Sequence, residues 1–386
     1  MQPCILCLPI TIPSEVKLGL ALTPFVVSVT SELTGLASVC CVNLTGLRYE
    51  GMRVRDVSNR FDRFQKLMAR IGFPITHYWV DNNPHHVERL RLYCKTLVDA
   101  GMLQPRSATT LICNCGAVEV VEEAINSDWS MEHKVMDIRE GRPFCKLCNT
   151  QLRGTRRECL FLDTRFSGNP LVAIPSLYQR EIDTLQESFN QPLLVSRQRK
   201  IGYELRLFDR TWRLDTDFCW SMLFCSLIEN GFEPKAVVVS NRSLKPLVWA
   251  YGVSRKLFPD LAQVTALVTP YVQFETGDPA RPIGSLAQLL DRYGRTPVQL
   301  LMASGLKWDQ KEVVAKSSLI FWALKGLARD LVAVPSEEKT SFSLQKATGL
   351  TDGHGVVKLI SDLRKLYRVE LSPYHNLLLE KGSSNE

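Results

Sequence analysis

Four cysteines arranged as two short pairs constrain the fold of this chain more than any other feature of its sequence. Cys113 and Cys115 form one pair, and Cys145 and Cys148 form the other. Two thiolates separated by one or two residues can turn onto one ion, and two such pairs supply the tetrahedral sulfur ligands that zinc accepts. The spacing therefore predicts a zinc knuckle, with His133 as an alternative ligand. Four reduced, partly buried thiols without a metal are the competing interpretation.

Composition sets the class of protein. The chain has 386 residues, of which 45% are hydrophobic and 23% charged, so it is long enough for two domains or for one large α/β core with an insertion. Its 12 cysteines are too few for a secreted disulfide scaffold and several lie in apolar runs, which predicts a reducing, cytoplasmic location. No apolar run approaches the ~20 residues of a membrane span, so no membrane partner is expected. A net charge of +7 permits a polyanionic partner without requiring one.

The start of the chain has the pattern of a strand, a helix and a second strand. Residues 5–12 and 37–44 are apolar runs typical of buried strands, and apolar residues recur at helical spacing over residues 16–33. Such a βαβ unit predicts a parallel sheet. Pro9 counts against a central position for the first strand, and Pro24 predicts a kink or a late start for the helix. Neither a GxGxxG sequence nor a Walker A phosphate loop follows the first strand.

The same patterns predict elements further along the chain. The predicted helices cover residues 59–71, 84–100, 308–330 and 355–367, residues 72–75 form a strand or turn, and residues 235–240 form a buried strand. Three histidines lie around the start of the third helix: His77, His85 and His86. They are predicted to be polar surface or capping residues rather than ligands.

Short motifs follow one another in a definite order through the first half of the chain. They are RFDRF (60–64), MARIGF (68–73), HHVERL (85–90), LVDAGML (97–103), the two cysteine pairs, and RECLFLD (157–163). In this order they resemble the class I aminoacyl-tRNA synthetases, most closely the methionyl type, in which similar segments lead into and out of a zinc-bearing insertion. Each motif is weak alone, and the order carries the resemblance.

The second half of the chain continues the series. Its motifs are RTWRLD (210–215), KAVVVS (235–240), LKPLVW (244–249), IGSL (283–286), LDRYG (290–294) and PVQLLM (297–302). The resemblance spans about residues 5 to 320 and implies an α/β fold: a doubly wound, mostly parallel, Rossmann-like sheet with a zinc-knuckle insertion and a short helical C-terminal segment. The implied divisions are 1–104 and 166–307 for the two halves of the sheet domain, 105–165 for the insertion, and 308–386 for the helical segment.

The resemblance also implies a substrate pocket. Trp212 and Asp215 correspond to residues that line the amino-acid pocket of the family, and Ser240 and Asn241 stand where the family has a Lys-Asp pair. An aromatic wall and a carboxylate suit an amino acid with its ammonium group. The alternative interpretation is ordinary core packing for Trp212 and a helix cap for Asp215.

Both catalytic signatures of the family are degraded. Where the His-Ile-Gly-His signature is expected, residues 17–20 read Lys-Leu-Gly-Leu and keep only Gly19 as a cofactor-binding residue. Where the Lys-Met-Ser-Lys-Ser loop is expected, residues 279–285 carry one cation, Arg281. Each donor aimed at developing phosphate charge contributes about 10²–10³-fold to the rate, so these losses predict that ordinary adenylation is abolished. Lys17, Lys245 and Arg281 are the candidates to rebuild a phosphate site for ATP with magnesium.

Two functions therefore remain open. The first is a methionyl-tRNA-synthetase-like pseudoenzyme that has lost ordinary aminoacylation and keeps a binding or regulatory role toward an amino acid, a nucleotide or the acceptor end of tRNA. The second is an ATP-dependent ligase that activates an amino acid through rewired phosphate contacts, for example in small-molecule biosynthesis. Arg153, Arg156 and Arg157, beside the knuckle, form the densest basic patch available to tRNA. The sequence does not determine the oligomeric state.

Overall fold

The computed structural model describes residues 1–44, 54–72, 75–81, 84–115, 118–122, 136–163, 171–188, 192–198, 203–275, 284–302 and 310–316. In chain order, their strands are β1 (Gln2–Thr11), β2 (Ala37–Asn43), β3 (His77–Val80), β4 (Leu103–Ile112), β5 (Glu119–Val121), β6 (Met136–Arg139), β7 (Arg142–Cys145), β8 (Arg153–Leu162), β9 (Val172–Ile174), β10 (Leu193–Leu194), β11 (Tyr203–Leu207), β12 (Arg210–Leu214), β13 (Phe232–Ser240), β14 (Thr265–Thr269), β15 (Tyr271–Glu275) and β16 (Glu312–Lys316). The α-helices are α1 (Leu18–Thr34), α2 (Val54–Ile71), α3 (Pro84–Asp99), α4 (Gln179–Ser188), α5 (Thr216–Glu229), α6 (Leu244–Leu257), α7 (Leu286–Tyr293) and α8 (Arg295–Leu300), and short 3₁₀ helices cover Ser176–Tyr178 and Asn241–Ser243.

A six-stranded, fully parallel sheet in the order β3-β2-β1-β13-β14-β9 forms the centre of the fold. Its strands are apolar because both faces are covered: along β1, Cys4 and Leu6 belong to the core on one side, and Ile5 and Cys7 to the core on the other. The direction of winding changes between β1 and β13. This confirms the predicted doubly wound α/β class.

Pro9 does not keep β1 out of the middle of the sheet, so the expectation drawn from this proline is wrong. The pairing of β1 with β2 shifts register between Cys7 and Ile10. The proline therefore lies at an irregularity in the ladder, where its missing N–H breaks no regular sequence of hydrogen bonds.

Pro24 is likewise accommodated inside α1, which begins at Leu18 and continues to Thr34. A proline cannot donate to the carbonyl four residues earlier, which here is that of Leu20. The Thr23 hydroxyl donates to the Leu20 carbonyl oxygen instead, at 3.3 Å. The helix ends at Gly35, whose φ of 62° is the left-handed conformation that glycine adopts without strain.

Other predicted boundaries need correction. The helix predicted from residue 59 begins at Val54, and the strand predicted near residues 72–75 lies at His77–Val80. His86, predicted to be a surface or capping residue, is buried at the start of α3. The helix predicted over residues 308–330 is wrong at Glu312–Lys316, which forms strand β16 and pairs with β15. Its residues are alternately exposed and buried, as in a strand with one face on the core. The helix predicted at residues 355–367 lies outside the described residues.

The insertion between β3 and β9 carries strands β4, β5 and β8 and the β6–β7 hairpin. Strand β10, which follows β9, completes an antiparallel sheet in the order β10-β8-β4-β5. A small separate core joins these elements at the end of β4. It contains Leu111, Cys113, Val118, Val120, Met136, Cys145 and Leu152. Within the described ranges, no helix has both the length and the apolar character needed to span a bilayer.

Candidate ligand crevice and metal centre

A crevice of about 520 Å³ lies at the carboxyl ends of β1 and β13, where the winding of the sheet reverses. Ile10 and Thr11 line it from β1, and Val239 and Ser240 from β13. Ligands of doubly wound sheets bind at such switch points, because the loops after the two neighbouring strands diverge there. The volume is in the range of small-molecule sites.

The N-terminus of α1 forms one wall of this crevice. Lys17 is the residue before the first turn of α1, and no acidic side chain lies in that turn. The unpaired amides of a helix N-terminus carry partial positive charge, so they favour an anion. The Lys17 ammonium adds a full charge at the same end and pairs at 2.8 Å with Glu15, outside the crevice.

Gly19, predicted as a cofactor-binding residue, lines the crevice but also has a packing reason to be glycine. A Cβ atom at this position would meet the carbonyl oxygen of Val272 at 2.5 Å. The first turn of α1 therefore packs directly against the backbone of β15, and this contact excludes any side chain.

The crevice is also lined by side chains that sequence reasoning missed. Arg242 lies with its guanidinium carbon 3.2 Å from the centroid of the Tyr271 ring, and both residues line the crevice. Trp220, in the second turn of α5, also lines it, and its indole N–H is buried without a hydrogen-bond partner in the described part of the chain. A signal for Trp220 was its place five residues after Asp215, at the start of a helix that follows a motif strand.

The charge of the crevice follows from this lining. Two cations, Lys17 and Arg242, face it, and no carboxylate does so among the residues that the structure describes. Two aromatic rings, Trp220 and Tyr271, accompany them. This arrangement favours an anionic ligand with an aromatic or apolar part. A positively charged group on a ligand would find no carboxylate among the described lining residues.

Trp212 and Asp215, predicted to line the amino-acid pocket, lie outside the crevice lining. Trp212 is buried in the core on β12, and its indole N–H donates to the Leu207 carbonyl at 2.9 Å. The Asp215 carboxylate is buried and accepts a hydrogen bond from Arg197. The Asp215 carboxylate is therefore paired with an arginine of this chain.

The remaining predicted site residues are distributed as follows. Asn241 neighbours two lining residues, but its side-chain amide donates to the Lys311 carbonyl at 2.6 Å. Lys245, in the first turn of α6, places its ammonium 5.7 Å from the ring centroid of Trp249. Arg281 lies outside the described residues. The structure thus brings Lys17, Gly19 and Ser240 together at the crevice and leaves Asn241 and Lys245 beside or away from it.

The four cysteines of the predicted knuckle converge at one point. Their sulfur atoms all lie within 4.8 Å of one another. Cys113 is 3.1 Å from Cys115 and 3.0 Å from Cys148, and Cys115 is 3.6 Å from Cys145. Tetrahedral zinc with bonds of about 2.3 Å requires sulfur–sulfur distances of about 3.8 Å, so a slight expansion of this cluster fits the ion. His133, the alternative ligand, lies outside the described residues.

Backbone hydrogen bonds shape both halves of the cluster. The Cys113 amide donates to the Val118 carbonyl, and the Cys145 amide donates to the Thr150 carbonyl at 2.9 Å. Asn149 adopts the left-handed conformation with φ of 54°, which turns the chain back after Cys148. Hydrogen bonds from Thr150 and Cys113 lower the pKa of Cys148 to about 6, so its thiolate forms readily.

A buried ionic network links the insertion to the start of α5. Arg157 on β8 pairs with the Glu119 carboxylate on β5, and the Gln198 amide donates to the same carboxylate at 2.9 Å. Arg197 then bonds both the Glu119 carbonyl and Asp215. Because Arg157 is committed to this network, the predicted basic patch retains Arg153 and Arg156 as its exposed members.

Comparisons with known proteins identify the fold. No protein-family model and no curated protein sequence matches the chain. A structure of Mycobacterium tuberculosis methionyl-tRNA synthetase in complex with methionyl-adenylate has a TM-score of 0.64 and 10% identity, and the match covers 84% of this chain and 68% of that one. A second structure of that synthetase bound by methionyl-adenylate has a TM-score of 0.65 at 10% identity, and the match covers 100% of this chain and 86% of that one. The apo form of the same synthetase has a TM-score of 0.62 at 12% identity, and the match covers 100% of this chain and 84% of that one. This likeness shows a methionyl-tRNA-synthetase-like fold.

Proposed function

We propose that this protein is a methionyl-tRNA-synthetase-like binding protein that has lost ordinary tRNA aminoacylation, and that its crevice takes an adenine nucleotide or a related phosphorylated ligand. The observation that carries the proposal is the donor-only lining of the crevice at the switch point. Lys17, Arg242 and the N-terminus of α1 present positive charge there, and no described lining residue opposes it.

The phosphate end of such a ligand would meet the N-terminus of α1 and Lys17. Helix amides and an ammonium group together form a common anion site, and Lys17 exchanges Glu15 for the ligand at small cost because that pair is exposed. Magnesium, where it accompanies ATP, would be held by the ligand's phosphates and by water, because the described lining contains no carboxylate.

The loss of aminoacylation rests on the amino-acid side of the site. Methionyl-adenylate is bound by the synthetase of the same fold, and an amino acid needs a partner for its ammonium group. Asp215 is engaged with Arg197, and Trp212 is part of the core. A free amino acid therefore finds apolar and aromatic surface here without a described ionic partner.

The alternative function is an ATP-dependent ligase that activates an amino acid. Its supporting observation is that two cations line the crevice although both family signatures are degraded. Lys17 and Arg242 could stabilise the charge that develops on a transferred nucleotide. The zinc cluster has a structural role in either function, because it lies in the separate core of the insertion.

Calorimetric titration of the whole 386-residue chain, loaded with zinc, with ATP, AMP and methionine tests the main proposal. We expect ATP and AMP to bind and methionine alone to give no heat of binding. Lys17→Ala should weaken the binding of ATP about tenfold or more, since it removes one charge-assisted contact. Absence of nucleotide binding by the wild type would refute the proposal.

ATP–pyrophosphate exchange with a panel of amino acids separates the two functions. The binding protein should give no exchange above background with any amino acid. Exchange that requires one particular amino acid, and that disappears in Lys17→Ala, would establish the ligase instead.

A tRNA partner is proposed for the exposed arginines of β8. Arg153 and Arg156 lie at the end of that strand nearest the knuckle. If they contact phosphates, the double variant Arg153→Ala/Arg156→Ala should reduce tRNA retention in a filter assay and flatten its salt dependence. Equal retention by wild type and variant would remove this surface from the proposal.

A further inference from the structure

Arg242 is the second cation that lines the crevice, after Lys17. It lies in the short helix after β13, and its backbone amide donates to the Ser240 hydroxyl at 3.4 Å, which orients this turn. Its guanidinium rests on the face of Tyr271 and pairs with Glu312 at 3.1 Å. Both of these contacts lie at the surface of the molecule.

The pair with Glu312 is weak and exchangeable. The side chains of Arg242 and Glu312 are 47% and 69% exposed, and ion pairs in such surroundings contribute little because water screens them. Glu312 does not line the crevice, whereas Arg242 does. The arginine therefore sits between an external carboxylate and the space in which a ligand would lie.

Glu312 is nevertheless held at a definite place. Strand β16 pairs with β15 in register, so that Glu312 lies beside Tyr271. At the preceding residue, the Lys311 carbonyl accepts hydrogen bonds from the Tyr271 amide at 3.0 Å and from the Asn241 side chain at 2.6 Å. The carboxylate is thus positioned by backbone contacts to compete for the guanidinium in the absence of a ligand.

We infer that Arg242 is a second anion-binding residue of the crevice, in addition to Lys17, and that Glu312 pairs with it until a ligand enters. This inference rests on the proposed function. When a phosphorylated ligand enters, the guanidinium leaves Glu312 and forms bidentate hydrogen bonds with a phosphate, which are stronger than those of an exposed carboxylate pair. The move also uncovers the face of Tyr271, on which the ligand's base can stack. No covalent bond is made or broken in this exchange.

The inference predicts opposite effects for the two partners of one ion pair. Arg242→Ala should weaken the binding of ATP and of inorganic pyrophosphate about tenfold or more, since a charge-assisted contact is lost. Glu312→Gln should tighten the binding of both ligands about threefold, since it removes a carboxylate that competes weakly for the Arg242 guanidinium. A merely structural ion pair would give changes of the same sign in both variants.

The exposed pair of Arg70 and Asp291 provides matched controls. Its side chains are 49% and 67% exposed and its atoms are 2.6 Å apart, close to the values for Arg242 and Glu312, but neither residue lines the crevice. Arg70→Ala and Asp291→Asn should leave both affinities unchanged. Circular dichroism and zinc content of every variant establish that the fold is retained.

Calorimetric titration of the whole 386-residue chain, loaded with zinc, with ATP and with pyrophosphate decides the outcome. If the wild type binds neither ligand, the proposed function itself is refuted. If the wild type binds, Lys17→Ala weakens binding, and Arg242→Ala has no effect, this inference alone is overturned. Should Arg242→Ala fail to fold, Glu312→Gln decides: tighter binding supports the inference, and unchanged or weaker binding overturns it.

Discussion

Gly19 in the first turn of α1 and Val272 in β15 approach so closely that a Cβ atom on Gly19 would lie 2.5 Å from the Val272 carbonyl oxygen. Backbone atoms lie on the β15 side of this contact, so no side-chain rotation can relieve a clash. The contact holds the N-terminus of α1 against the wall of the crevice that carries Tyr271. The only glycine retained from the degraded signature thus determines how that wall is built.

Gly19→Ala should therefore destabilise the protein. Inserting a methyl group into a tight contact costs about 1–3 kcal/mol, and we expect a loss of that size in the free energy of unfolding, measured by urea denaturation. Gly154→Ala on β8 is the control, because a Cβ atom there would be 3.5 Å from side-chain atoms of Leu111 and Thr109. Equal stability losses in the two variants would show that the Val272 contact is unimportant.

The buried pair of Asp215 and Arg197 should be far more sensitive to mutation than an exposed pair. Asp215→Ala leaves the Arg197 guanidinium buried without its carboxylate, which costs about 3–5 kcal/mol in comparable cases. Glu204→Ala breaks the exposed pair of Glu204 and Arg213 on the neighbouring hairpin and should cost about 1 kcal/mol or less. Both free energies come from chemical denaturation.

A double replacement tests the origin of this difference. Asp215→Leu combined with Arg197→Met removes both charges and should recover much of the loss, because no unpaired charge remains buried. If the double variant is no more stable than Asp215→Ala, the loss in the free energy of unfolding comes from packing rather than from an unpaired buried charge.

The parallel sheet and the cysteine cluster were predictable because their signals are local. Residues 5–12 and 37–44 form continuous apolar runs, and the thiols of each cysteine pair are only one or two residues apart. The course of the chain through Pro9 was not predictable, since the register shift beside it depends on β2. Strand β16 was also missed: its sequence does not alternate between polar and apolar residues, because Val314 on the exposed face is itself apolar.

The crevice itself was only partly predictable, for the same reason. Lys17, Gly19 and Ser240 were predicted from the family resemblance, which places them at the degraded signature and at the end of a motif strand. Arg242 and Trp220 become neighbours of Lys17 only through the pairing of β1 with β13 and the packing of β15 on α1, which join distant parts of the chain. Asp215 was predicted to bind a substrate, but its carboxylate pairs with Arg197, and a single sequence does not reveal such a pair.

The sulfur cluster predicts about one zinc ion per chain with a structural role. Cys113 and Cys145 belong to the small core of the insertion, so removal of the ion should loosen that core. Cys113→Ser should lose zinc, measured by atomic emission, and should lower the first transition in thermal unfolding. Cys159→Ala is the control because this buried cysteine of β8 lies outside the cluster. Unchanged zinc content in Cys113→Ser would contradict the assignment.

Acid should destabilise the protein through His86. This side chain is 2% exposed at the start of α3, its ring packs edge-on against Tyr203, and neither ring nitrogen has a hydrogen-bond partner in the described ranges. Burial lowers the pKa of His86 to about 4, below the value of about 6.5 for an unfolded chain. The folded protein therefore holds a neutral imidazole, while the unfolded chain gains a proton first as the pH falls.

The sign of the effect follows from this difference. The contribution of His86 to stability is complete above about pH 6.5 and is lost as the pH falls toward 4, with a total of about 3 kcal/mol. Urea denaturation at several pH values between 4 and 7 measures the slope. His86→Leu should reduce that slope, because it removes the group whose pKa burial lowers. If His86→Leu keeps the full slope of the wild type, other groups cause the acid sensitivity, and His86 is protonated at the same pH in the folded and unfolded chains.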